Sequence, residues 1–355
     1  MSTSCNTHTD AGGPQAETMP RRQRPPPPPP PASLRIAVCL SGLPKAIVTP
    51  RMQQHLASVL QPLADDPVTD LDVFMHMDGQ TMDEWAVRHA ARRLRALNVL
   101  FYGNSSMGEE PPNLGDCPTR NRGPCCRHGY AASVKLRGCL RDIEANERPP
   151  QRPYDFVLRL RPDIEHLFRL PPSRQWRCLR RDIAWAMIVL PNTTTHCFPG
   201  HAYPRARLAD GLVPVTKPGL FLDDNLALLP RRAAQAYLSV ADQIEKCVPT
   251  RPLNRLCQRR WEWPECRVHQ ALATVPGLLI GELPSTTPAF AFVDCEGPDK
   301  NGPPCVQPYR RWKYRHFSER TGLARSSADG FLGGKGLNAS RFPTVALRQG
   351  CSPDV

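Results

Sequence analysis

The sequence predicts an α/β fold in which a mostly parallel sheet is sandwiched by helices. Three observations predict it. Short apolar runs of strand length recur along the chain, segments with helical spacing fall between them, and several of the runs stop abruptly at polar residues. Strands covered on both faces read as continuous apolar runs, and their alternation with helices over short links argues for parallel pairing. Ligands of such sheets bind at the carboxyl ends of the strands, so the polar strand ends are where function is to be sought.

The first strand is LRIAVCLSGLP, residues 34–44, ended by Ser41-Gly42. A helix is expected over 51–63, where Met52, Leu56, Val59, Leu60 and Leu63 keep close to helical spacing. LDVFMHM at 71–77 reads as a second buried strand, 83–97 as a helix capped by Asp83, and NVLFY at 98–102 as a third strand. A loop rich in Pro, Gly and Cys, 104–127, leads into a helix over 129–146 that presents Ala132, Val134, Leu136, Leu140 and Ile143. The fourth strand lies in YDFVLRLRPDIEH, 154–166, which turns from Phe156, Val157 and Leu158 to Arg159, Arg161, Pro162 and Asp163. IAWAMIVL at 183–190 is a strand or a short buried helix; a helix is expected over 225–244, another over 265–274, and a last strand over 278–283.

Around this single domain, placed at 34–324, the ends differ in composition. Residues 1–33 are polar and aperiodic and run into seven consecutive prolines at 25–31, which reads as a disordered leader with a stiff polyproline spacer. Such a run can also dock a partner that has an aromatic groove. From about Arg325 the chain is rich in Gly and Ser and reads as a loose tail.

A net charge of +13 on 355 residues suggests an anionic partner. The arginines are scattered in twos and threes, as at Arg92, Arg93 and Arg95 or at Arg180 and Arg181, without a block of like charge interleaved with aromatics. Nucleic acid is therefore not favoured. Fourteen cysteines lack a zinc spacing, and their loop-rich intervals suit disulfides in an oxidising compartment. Sequons at Asn104, Asn192 and Asn338 lean toward the secretory pathway, whereas no signal-like apolar segment and no span of eighteen apolar residues is visible. Free thiols are the competing reading.

The strand ends carry the chemistry. Asp163 at a strand exit can hold a hard cation, and Arg159 and Arg161 can grip phosphate with paired donors; equally, Arg159 and Asp163 could form an internal salt bridge. Gly42 would let a ligand approach the backbone and Lys45 would add charge, although neither GxGxxG nor a P-loop is present. Asp223 and Asp224 stand before an expected helix, where one could cap it and the other face a cleft. Glu265 and His269, four apart, share a helix face and can pair for acid–base work or serve only structurally. His76 is either a ligand contact or a buried histidine. The absence of HExxH and GxSxG disfavours zincin proteases and α/β-hydrolases.

Taken in order, RIAVCLSGLPK, LDVFMHMDG, YDFVLRLRPDIEH, LDDNLALLPRRAAQAY and PECRVHQAL resemble a diffuse group of glycosyltransferase-like proteins similar to GT-A nucleotide-sugar transferases. The resemblance runs from Leu34 to Leu283. It implies a nucleotide-diphospho-sugar transferase fold, a nucleotide-sugar donor and a hydroxyl acceptor. It implies that Ser41, Gly42 and Lys45 form a nucleotide-binding turn, with Lys45 where the pattern has arginine. Arg159, Arg161 and Asp163 would form the diphosphate corner, with Mn²⁺ or Mg²⁺ held by Asp163 and Glu165. Asp223, Asp224 and Glu265 would be catalytic acids on the acceptor side. RPDIEH departs from the usual pair of acids DxD, offering Asp163 and Glu165 instead. A descendant that binds glycan or nucleotide without turnover is the alternative.

Overall fold

In the computed structural model the first strand, β1 (Leu34–Gly42), is buried along almost its whole length, because sheet neighbours flank it and helices cover both its faces. The structure describes residues 33–42, 44, 47–79, 84–102, 124–162, 164–166, 170–189, 212–217, 221–246, 264–282, 290–292, 347–349 and 351. These fall in one compact unit that begins at Ser33; the leader at 1–32 lies outside the described residues.

After β1 come α1 (Pro50–Ala64), β2 (Thr69–Asp78), α2 (Glu84–Arg93), β3 (Ala96–Tyr102), α3 (Pro124–Asn146), β4 (Phe156–Leu160), β5 (Ile164–His166), α4 (Ser173–Arg177), β6 (Ile183–Val189), β7 (Leu212–Pro214), β8 (Phe221–Pro230), α5 (Arg231–Leu238), α6 (Val240–Glu245), α7 (Pro264–Ala273), β9 (Leu279–Glu282) and β10 (Phe290–Phe292). Local chemistry explains several starts. Thr49 caps α1 by accepting from the Met52 N–H at 3.2 Å, with Pro50 at the first helical position. Helix α2 has Glu84 in its first turn and Arg92 and Arg93 in its last, each favourable to the helix dipole.

Eight strands form one sheet in the order β3-β2-β1-β4-β8-β6-β9-β7, and β5 pairs with β10 in a separate two-stranded sheet. Pairs β1–β2, β1–β4, β2–β3 and β6–β9 are parallel; β8 runs against β4 and β6, and β7 against β9. This is the expected α/β class. Strand alternation splits the core into two layers. Ile36, Val38 and Leu40 pack with α1, α2 and Trp176 of α4, whereas Ala37, Cys39, Phe74 and Val157 pack with α3, α5, α6 and α7.

One expectation is corrected. Residues 225–244 are not one helix: the chain stays in β8 to Pro230 and then forms α5 and α6, which break at Ser239. Leu226, Ala227, Leu228 and Leu229 are all buried in a strand covered on both faces, and such a run has no period that separates it from a buried helix. Pro230 marks the true start, extended at φ −60° and ψ 150° immediately before Arg231. Residues 183–190 resolve in favour of the strand, β6.

Disulfides join Cys39 of β1 to Cys139 of α3 and Cys178 to Cys351, and Cys266 is also disulfide-bonded. The stretch expected to trail loosely from Arg325 is anchored where it is described: Leu347 bridges Leu179 and the Arg348 N–H donates to the Cys178 carbonyl at 2.8 Å. At the amino ends of β1, β2 and β4 the polar groups satisfy one another. The Arg35 N–H and Arg181 both donate to Asp155, at 2.8 and 3.0 Å, and the Tyr154 hydroxyl donates to Asp72 at 2.6 Å. The carboxyl ends are arranged differently.

Candidate functional site

Parallel pairing sets the carboxyl ends of β1, β2 and β4 side by side: Ser41 lies opposite His76, Gly42 opposite Met77, and Leu40 opposite both Met75 and Leu160. Alternation then fixes which side chains share a face. Ser41 follows Cys39, His76 and Asp78 follow Phe74, and Arg159 follows Val157, all on the side covered by α3. Gly42 ends β1 at φ 153°, a backbone value that L side chains rarely adopt.

Helix α3 brings a residue that the sequence reading passed over. The Lys135 ammonium donates to Asp78 Oδ1 at 2.6 Å, and both side chains are only 5% exposed. Burial pushes the Lys135 pKa down, the Asp78 carboxylate pulls it back up, and the charges of Arg159 and Arg161 press it down further. Lys135, Arg159 and Arg161 therefore act on one another at the ends of β2 and β4. Of the stripe expected on this helix, Leu136, Leu140 and Ile143 are buried, whereas toward its start Ala131, Ser133 and Lys135 are buried in place of Ala132 and Val134. Lys135 sits four residues from both Ala131 and Cys139, and a lysine on that stripe was the available signal.

His76 is a structural residue. It is fully buried, with Nδ1 bonded to the Tyr102 hydroxyl at 2.8 Å and Nε2 to Asp142 Oδ2 at 3.1 Å, and Asn98 also donates to Asp142 at 2.7 Å. Burial, reinforced by Asp142, raises the Tyr102 pKa to about 12. Gly138 lets α3 come this close, since a Cβ there would lie 1.8 Å from the Tyr102 hydroxyl.

The other expected site residues divide. Lys45 and Asp163 lie outside the described residues. Beyond Arg161 the chain leaves the main sheet, and Glu165, described by its backbone, pairs with Ala291 in the small sheet. Asp223 and Asp224, likewise described by backbone, do not precede a helix. Because β8 is antiparallel and Leu226 faces Leu160, they lie just beyond the carboxyl end of β4, at the same rim as Arg161. The helix cap expected of one of them is therefore corrected: both belong to β8.

Glu265 is the second residue of α7 and is described by its backbone. Of the readings open for Glu265 and His269, His269 follows the structural one. That residue is buried, and its Nε2–H donates at 2.8 Å to the carbonyl of Val215, which pairs with Leu278 beside the start of β9. His269 thus sits toward the end of the sheet opposite the rim, and Glu265 lies one turn before it in α7. Burial lowers the His269 pKa, so the ring is neutral and structural.

The side chains of Asp163, Glu165, Asp223 and Asp224, the acids expected at the rim, lie outside the described residues. Among the described residues no group of three or more His, Cys, Asp or Glu comes together to hold a metal. Asp78, the acid described there, is engaged by Lys135. Cationic N–H donors beside a glycine turn suit phosphate or carboxylate oxygens.

No family model and no curated protein matches the chain. Among solved structures, it is similar to the apo form of mouse xyloside xylosyltransferase 1, with 11% identity, a TM-score of 0.35, and coverage of 71% of this chain and 84% of that one. A nucleoside-diphosphate-sugar pyrophosphorylase from Vibrio cholerae is 13% identical at a TM-score of 0.36, over 75% and 97% of the two chains. A galactosyltransferase, LgtC, in complex with donor and acceptor sugar analogs is 14% identical at 0.31, over 84% and 99%. Likeness at this level carries no chemistry across, so the functional reading rests on the rim itself. No described helix is long and apolar enough to cross a membrane.

Proposed function

We propose that the chain is a GT-A-like glycosyltransferase that moves a sugar from a nucleotide-sugar donor to a hydroxyl acceptor. The observation that supports it is the meeting, on one rim, of the Ser41-Gly42 turn, the Arg159–Arg161 strand exit and the backbone of Asp223–Asp224. The family resemblance of the same segments is the second support.

In this reading Ser41 and Gly42 receive the nucleotide. Arg159 and Arg161 hold the diphosphate and stabilise the negative charge that grows on it as the sugar–oxygen bond breaks, an electrostatic effect strengthened by burial away from water. Arg159 is almost wholly buried and donates to the Leu160 carbonyl, which fixes its aim; Arg161 is partly exposed and meets the incoming ligand. Asp223 or Asp224 takes the acceptor hydroxyl's proton if the reaction inverts, with Glu265 as the remaining candidate.

Calorimetry with a panel of nucleoside diphosphates, with and without Mn²⁺, tests this. One nucleotide is expected to bind, and Arg161→Ala to weaken it by about ten- to a hundredfold, the worth of a charge-assisted hydrogen bond. The matching nucleotide sugar is expected to release its sugar. If no nucleotide binds in any condition, the transferase reading is rejected; binding without turnover replaces it with a nucleotide-binding protein.

A further inference from the structure

We infer that Lys135 is the third cation of the donor-phosphate seat, positioned there by Asp78. The inference rests on the reading above for what the ligand is, and on α3 and β2 for the residue itself. Nothing in the resemblance includes Lys135.

A long cationic side chain on a helix ordinarily runs its stem along apolar surface and delivers its charge to water. Lys135 does the opposite. Its neighbours on the stripe, Ala131 and Cys139, are 3% and 0% exposed, and its ammonium points inward to the last residue of β2. Buried ion pairs of this kind are often matched or bettered in stability by apolar residues of similar size, so core packing alone does not call for one here. Placing Lys135 within the field of two arginines adds repulsion that the fold must also carry. Costs of this type gather where a ligand is to be held.

The geometry gives each partner a task. An ammonium has three N–H donors, and Asp78 Oδ1 accepts one of them at the carboxyl end of β2. Among the described residues, the charged groups that act on Lys135 are Asp78 from β2 and Arg159 and Arg161 from β4. On the outer side of α3, Arg137 is occupied by Asp242 and Glu245 of α6, at 2.9 and 2.7 Å. Phosphate oxygens entering between Gly42 and Arg161, both partly exposed, would meet three cations from two directions.

The experiment is calorimetric titration of sodium pyrophosphate, with Mn²⁺ and with EDTA, into wild type, Lys135→Met, Lys135→Arg and the double variant Asp78→Asn/Lys135→Met. The double variant leaves no buried charge unpaired, so a loss of binding there does not reduce to a loss of fold; near-ultraviolet circular dichroism checks this. Wild type is expected to bind pyrophosphate in at least one of the two conditions. Lys135→Met and the double variant should bind about ten- to a hundredfold more weakly, and Lys135→Arg should stay within a few-fold of wild type. Wild-type affinity in the methionine variants, or no binding of pyrophosphate by wild type in either condition, overturns the inference. Lys135-dependent pyrophosphate binding with no turnover of any nucleotide sugar keeps the inference and removes the transferase reading. Undiminished sugar transfer by Lys135→Met does the reverse.

Discussion

Asp78→Leu is expected to destabilise the protein by about 3–5 kcal/mol at neutral pH, because it strands a buried lysine beside two arginines. The substitution removes the one described carboxylate that counters burial and the charges of Arg159 and Arg161 at Lys135. Its pH dependence separates this cause from a loss of packing. Lys135 already has a folded pKa below its unfolded value of 10.5. Between those two values the unfolded chain holds more protons than the folded one, so stability rises with pH across that window. Without Asp78 the lower edge of the window moves toward neutrality. Urea midpoints of Asp78→Leu should therefore climb from pH 7 to pH 9 more steeply than those of wild type, and Asp78→Leu/Lys135→Met should recover most of the loss at pH 7. A variant whose deficit does not change with pH would point to packing instead.

The second large effect is expected at Gly138. In Gly138→Ala the new methyl would lie 1.8 Å from the Tyr102 hydroxyl and 2.7 Å from His76 Nδ1, at a place where His76 is fully buried. Either α3 lifts from β2 or the Tyr102–His76 hydrogen bond is lost. Overpacking costs about 1–3 kcal/mol and a stranded buried polar group about 1–3 kcal/mol. Alanine returns about 1 kcal/mol through helix propensity. The net loss should be about 1–5 kcal/mol by urea unfolding, and Gly138→Ala/Tyr102→Phe, which removes the oxygen met by the methyl, should regain part of it. Equal midpoints for wild type and Gly138→Ala would mean that the helix does not pack this tightly.

Much of the architecture was legible because of how parallel strands are buried. RIAVCLS, LDVFMHM and DFVLRL lie under helices on both sides, so their apolar runs are unbroken and end where the sheet ends, which marked the rim from composition alone. The same burial hid β8. In LALLP an all-apolar run carried no period, and only Pro230 signalled the change of structure. The acids before it were accordingly placed at a helix start when they belong to a strand whose beginning reaches the rim. Lys135 was hidden for a related reason: helical spacing is read from apolar residues, and a cation within the stripe is passed over until its partner on another element is known. His76 and His269 show the limit in the other direction. What decides their role is a tyrosine, a carboxylate or a carbonyl far away in sequence.

The cystine between Cys178 and Cys351 has a sequence separation of 173. Together with the intervening peptide bonds it makes a closed ring that contains the strands β6 to β10 and the helices α5 to α7. A single backbone cut anywhere between those two residues would open the ring without freeing a fragment. The amino-terminal strands that carry the arginines would stay tethered to the far end of the chain until the cystine is reduced.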